Sequence, residues 1–194
     1  MYATIRLRSG EAVHRLMNIL KAMGVNAIRT AHNPPAPELL DLCDRMGFLV
    51  MDEAFDVWKK GKNAHDYHLY WDEWHRRDLE DLVRRDRNHP SVVVWSIGNE
   101  ILEQWDTSGT AIARELAGIV RALDDTRPVT AATNDPRPEN FVIRSGVLDL
   151  IGYNYNHDRF AAEIIRAGVL AIRVSSNCFL IGLPSSLTAV MLPR

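Results

Sequence analysis

The sequence predicts an α/β fold built on a parallel sheet. Three observations carry this: short apolar runs without polar alternation, stretches of helical periodicity between them, and Gly or Asn-His-Pro punctuation where one element gives way to the next. Strands of that kind are buried on both faces. Parallel neighbours need crossover connections, and the crossover helices cover the sheet.

The elements follow in order. Val13, Leu16, Met17, Leu20 and Met23 recur at helical spacing up to Gly24, and residues 26–30 (Asn-Ala-Ile-Arg-Thr) read as a short buried strand. Leu39, Leu42, Cys43 and Met46 repeat the stripe up to Gly47, before the apolar strand 48–51. Trp71, Trp74, Leu79, Leu82 and Val83 mark a charged surface helix. Asn88-His89-Pro90 breaks it, and residues 91–97 are the clearest strand in the chain. Ile112, Leu116, Ile119, Val120 and Leu123 form a further helix before strand 129–133, and residues 148–153 give another strand. No Gly-rich phosphate loop follows the first strand, which favours a barrel over an open dinucleotide-type sheet.

From about residue 164 the character changes. Residues 164–194 contain no Asp or Glu, and the apolar runs 169–172 and 178–181 sit among Ser, Gly and Pro. The expected division is a partial barrel domain over 1–163 and a divergent tail over 164–194, which either holds one or two short strands or is poorly ordered.

Composition narrows the function classes. With 46% hydrophobic residues, 25% charged residues and a formal net charge of -2, the chain reads as a globular domain and gives no basic patch for nucleic acid. No run is long and apolar enough to span a bilayer, and no targeting signal is evident, so the compartment stays open between cytoplasm and periplasm. Cys43 and Cys178 lack the number and spacing of a disulfide framework or a zinc site.

In parallel α/β folds reactive residues gather beyond the carboxyl ends of the strands. Those positions hold Arg29, His32 and Asn33; Asp52, Glu53 and Asp56; Asn99 and Glu100; Asn134 and Asp135; and Asn154, Tyr155 and His157. The opposite rim carries Gly24, Gly47, Pro90 and Pro128, the turn residues of a stability face. Residues 96–100 (Ser-Ile-Gly-Asn-Glu) put a carboxylate at the end of the clearest strand, where a carboxylic acid could protonate a glycosidic oxygen while the preceding amide holds a sugar hydroxyl. On the dipeptide alone, a structural Glu closing the strand reads equally well.

The segments 26–35 (Asn-Ala-Ile-Arg-Thr-Ala-His-Asn-Pro-Pro), 47–54 (Gly-Phe-Leu-Val-Met-Asp-Glu-Ala) and 85–100 resemble glycoside hydrolase family 2, the family of β-galactosidases, β-glucuronidases and β-mannosidases, and the likeness runs from about Glu11 to about Phe160. The stretch from Asp56-Val57-Trp58 to Tyr67-His68 and Trp71 is most similar to its metal-independent β-galactosidases. The resemblance implies hydrolysis of β-galactosides with retention, Glu100 as general acid/base and Asn99 on the sugar 2-hydroxyl. It also implies that Arg29, His32 and Asp52 or Glu53 shape the floor of the sugar site, that Tyr155 lies near the nucleophile, and that Trp58 is a candidate stacking ring. Each has a bland alternative: Arg29 and Glu53 as a buried ion pair, His32 as a loop-ordering residue, and the tryptophans as core.

Some relatives hold magnesium through a Glu-x-His motif after the third strand. Asp56-Val57-Trp58 stands there in this chain, so neither metal nor cofactor is expected. The expected partner is a carbohydrate, with no nucleic acid and no membrane, and a homo-oligomer of the parent is left open. The family's nucleophile is a glutamate ending the seventh strand, but no acidic residue follows Glu163, which lies too soon after Tyr155 to serve. The chain is therefore expected to cover about strands two to six of the eight, with a tail such as a truncation or shifted reading frame would leave. It would then need complementing segments for activity, or be an inactive sugar-binding fragment. Another barrel hydrolase without sugar specificity, or a β-glucuronidase or β-mannosidase of the same family, are the remaining readings.

Overall fold

Helix and strand alternate through the first four units of the described chain, and a short 3-10 turn precedes the fifth strand. The computed structural model describes residues 10–135, 137–155, 170–175 and 178–181. The order is α1 (Gly10–Ala22), β1 (Ala27–Arg29), α2 (Pro37–Met46), β2 (Leu49–Glu53), α3 (Trp71–Asp86), β3 (Val92–Asn99), α4 (Ser108–Leu123), β4 (Val129–Thr133) and β5 (Leu150–Asn154), followed by β6 (Leu170–Ser175) and β7 (Cys178–Ile181). Short 3-10 turns at Tyr67–Tyr70, Leu102–Trp105 and Ile143–Ser145 fill the connections.

All seven strands lie in one sheet in chain order. β1 to β6 pair in parallel, and β7 turns back antiparallel on β6. The two apolar runs expected in the tail are therefore both strands, and β6 extends the sheet beside β5. His157, Glu163 and the rest of the tail lie outside the described residues.

Strand alternation divides the apolar side chains into two cores. The larger lies between sheet and helices, where Val50, Trp95, Ile97 and Ala131 pack against Leu40, Leu79, Val83, Leu116 and Val120. Each fully buried aliphatic side chain there contributes roughly 1.5–3 kcal/mol. The smaller comprises Ala27, Met51, Val94 and Leu150, from β1, β2, β3 and β5. Side chains from both ends of that strand series meet only if the sheet curls into a barrel wall, so this cluster is the floor of a concave interior. Cys43 is wholly buried in the larger core, and burial first, then the neighbouring Asp44 charge, pushes its thiol up to about 12. It behaves as a small hydrophobe.

No helix among the described residues is long and apolar enough to cross a membrane.

Candidate active site

Alternation also decides which strand-end residues face the interior. Ala27, Met51 and Leu150 point inward, so Arg29, Glu53 and Asn154, each two or four positions on, point inward as well. On β3 the register against β4 shifts between Ser96 and Asn99. Strict alternation from the inward Ser96 would turn Asn99 outward, and the shift re-aims its side chain into the cleft.

These residues form one polar hub. Arg29 donates from Nε and Nη2 to Glu53 at 2.7–2.9 Å, from Nη2 to Asn99 Oδ1 at 2.8 Å, and from Nη1 to Asn154 Oδ1 at 3.3 Å. Glu53 also accepts from Ser96 Oγ and from the His32 ring, both at 2.7 Å. Side-chain exposure is 4% for Arg29 and 0% for Glu53, so both are committed to the protein and brace the floor of the cleft. Asn154 Nδ2 donates to Asn99 Oδ1 at 2.9 Å and to Glu100 Oε1 at 2.5 Å.

Glu100 is half-buried beyond the end of β3, and its N–H donates to the Ala132 carbonyl at 2.7 Å. Its φ of 45° and the 64° of Tyr155 are the only positive values at non-glycine residues among the described ones. Such backbone costs about 1–3 kcal/mol per residue and persists where surrounding structure enforces it. Both residues follow strands that feed the hub. Asn154 holds Oε1 of Glu100, while Oε2 has no partner among the described residues. An oxygen that accepts an amide N–H is disfavoured as a proton carrier, which leaves Oε2 as the oxygen that can donate. Tyr155 is 59% exposed at the mouth, and His32 stands at the edge with its side chain 34% exposed.

Two expected residues are not brought into the hub. Asp52 precedes the inward Glu53 and therefore faces the helices. It accepts from Thr30 Oγ1 at 3.4 Å, its buried Oδ2 has no hydrogen-bond partner among the described residues, and beside it stands the carboxyl of Asp86 on α3, which Arg85 clamps through two contacts of 2.6 Å. Trp58 is wholly buried, its indole N–H donates to the Ile97 carbonyl at 2.8 Å, and a Cβ on Gly98 would meet its Nε1 at 2.9 Å. It packs beneath β3 as a core ring.

Burial first, then the charge of Asp86, pushes Asp52 well above the ordinary carboxylate range. A buried carboxyl with one oxygen unpartnered and a second carboxylate beside it favours its neutral form. The folded state then holds a proton that the unfolded chain releases near pH 4, so this contribution is complete below that value and is lost as pH rises toward the raised folded pKa. Asp52→Asn keeps a donor to Asp86 and removes that slope. Urea midpoints are expected to show the variant gaining on the parent as pH goes from 4 to 7, and parallel profiles would refute the upward shift of Asp52.

Sequence reasoning missed Ser96 and Lys62, and placed Asn154 at the rim without a role. Ser96 reads as one more strand residue, and Lys62 sits in a charged Lys-Lys-Gly-Lys run that looks solvated. A cavity of about 410 Å³ opens between the loop after β2 and α3, lined in part by Asn33, Phe55, Asp56, Tyr67, Asp78 and Arg85. The one group of three ligand-type side chains close enough for a metal among the described residues, Asp41, Asp44 and His89, lies at the opposite rim, where Asp44 is taken up by His89 and the Ser91 N–H.

Residues 6–164 match the family model for glycosyl hydrolases family 2, TIM barrel domain. The chain belongs to glycoside hydrolase family 2. Its curled parallel sheet is part of that family's barrel. A protein of Bacteroides ovatus named β-galactosidase BoGH2A is 51% identical, over 75% of this chain and 21% of its own length. The β-glucuronidase of Sus scrofa is 36% identical, over 77% of this chain and 23% of its own length. The crystal structure of a family 2 member from Bacteroides cellulosilyticus superposes with a TM-score of 0.79 at 45% identity, over 84% of this chain and 21% of that one. The chain thus spans about a fifth of the length of these relatives.

Proposed function

We propose that this chain carries the acid/base half of a retaining β-glycosidase acting on β-galactosides, with Glu100 as the proton donor. The observation that carries the reading is the carboxyl of Glu100 at the mouth of the curled sheet, with one oxygen held by Asn154 and the other without a partner among the described residues. In this reading Asn99 holds the 2-hydroxyl, Tyr155 and His32 flank the sugar, and Arg29 and Glu53 support the floor. Retention needs a second carboxylate about 5–5.5 Å from the first. In this reading the second carboxylate is brought by an assembly that supplies a nucleophile from elsewhere. Residues 1–163 form the barrel portion in this reading, and 164–194 a divergent tail whose β6 extends the same sheet.

The galactoside rather than the glucuronide is favoured by the 51% identity to a named β-galactosidase. Charge fits a neutral sugar as well: the two cations that bond Asn99, Arg29 and Lys62, are paired with Glu53 and Asp56. The test is a segment exchange. The Bacteroides ovatus relative, carrying this chain in place of its matching segment, is expected to hydrolyse nitrophenyl β-galactoside within about tenfold of its parent, while this chain alone gives none. A folded but inactive exchange removes the reading, and a turn toward the glucuronide moves it to β-glucuronidase.

A further inference from the structure

Lys62 lies in the loop after β2, within the stretch 56–71 but outside the residues that were singled out there. Its ammonium donates to Asp56 Oδ1 at 2.8 Å and to the main-chain oxygen of Asn99 at 2.9 Å. Asp56 Oδ1 also accepts from Asn99 Nδ2 at 3.0 Å. One ion pair therefore grips Asn99 by both its carbonyl and its amide, and the next residue is Glu100.

A carboxamide can sit either way round, and its neighbours decide which. Arg29 only donates and an ionised Asp56 only accepts, so Oδ1 of Asn99 must face Arg29 and Nδ2 must face Asp56. Burial opposes ionisation of Asp56, yet the hydrogen bonds from Lys62 and Asn99 and the Lys62 charge hold its carboxyl below the usual range. Oδ1 of Asn99 is filled by Arg29 and Asn154, and one N–H of Nδ2 goes to Asp56. The second N–H has no protein partner among the described residues.

We propose that Lys62 is a positioning residue: by holding the Asp56 carboxylate in place it fixes the Asn99 amide so that its second N–H is offered to the substrate's 2-hydroxyl. The inference rests on the glycosidase reading for its substrate and on this chain alone for its geometry. Lys62 touches no reacting atom and acts through Asp56 and Asn99.

Two measurements test it. In the exchanged enzyme, Lys62→Met is expected to lower kcat/KM on nitrophenyl β-galactoside about tenfold or more, as for one lost hydrogen bond, and to leave the 2-deoxy-galactoside nearly unchanged. Lys62→Arg, which keeps the charge and the donors, is expected to retain most of the parent rate. Equal losses on both substrates would mean a general structural role and overturn the proposal, as would no loss on either. In the isolated chain, the Asn99 side-chain amide, identified by its absence in Asn99→Asp, is expected to exchange with solvent about tenfold faster in Lys62→Met and at the parent rate in Lys62→Arg. Unchanged exchange in Lys62→Met overturns the proposal even where the exchanged enzyme is inactive, and inactivity with Lys62 intact counts against the glycosidase reading alone.

Discussion

Glu100→Gln is expected to slow the exchanged enzyme by about 10²–10⁴-fold on β-galactosides whose leaving group must be protonated, and far less on a dinitrophenyl leaving group that departs unaided. Gln keeps an oxygen for the Asn154 amide that now meets Oε1 at 2.5 Å, so the turn and its 45° φ have no reason to move. What disappears is the proton on the other oxygen. A loss of equal size on both leaving groups would point to damaged geometry. An unchanged rate on the protonation-dependent substrate would remove Glu100 from the reaction.

The second large effect falls on stability. Arg29→Met removes the cation that faces a carboxylate with no exposure and strips donors from Asn99 and Asn154 in the same step. Breaking a buried pair from one side typically costs about 3–5 kcal/mol, because the remaining charge is left without compensation. Chemical denaturation is expected to show a loss of that order. Removing the stranded carboxylate as well, in Arg29→Met with Glu53→Leu, is expected to recover a substantial part of it, since two apolar groups of similar volume leave no orphaned charge. If the double variant is no more stable than the single one, the pair is not what holds this floor together.

The helices and strands were legible because each strand is an apolar run closed off by Gly24, Gly47, Asn88-His89-Pro90 or Pro128, and each helix repeats its apolar face over several turns. The strand ends were less so. β2 extends through Asp52 and Glu53, two positions beyond its apolar run, because the barrel interior pairs Glu53 with Arg29 and the helix side accepts a protonated Asp52. Charge at those positions hides the strand from a reading based on hydrophobicity. The hub residues were legible as strand-end polar groups and through resemblance. Which of them face inward was not, since Asn99 depends on a register shift and Asp52 differs from Glu53 only by one step of alternation. Lys62 could not have been found, because nothing in a run of lysines tells which one folds back onto a carbonyl.

The Arg29–Asn154 bond spans 125 positions of sequence and the Arg29–Asn99 bond 70, whereas every sheet pairing joins consecutive strands. Loop closure makes distant contacts late ones, so the strand neighbours can zip together unit by unit before the hub exists. Until the fifth strand arrives, these groups stay hydrated, and their charge discourages the half-formed trough from collapsing on itself. The full set of contacts at the mouth thus requires β1, β2, β3 and β5 together, and it registers whether those units have docked.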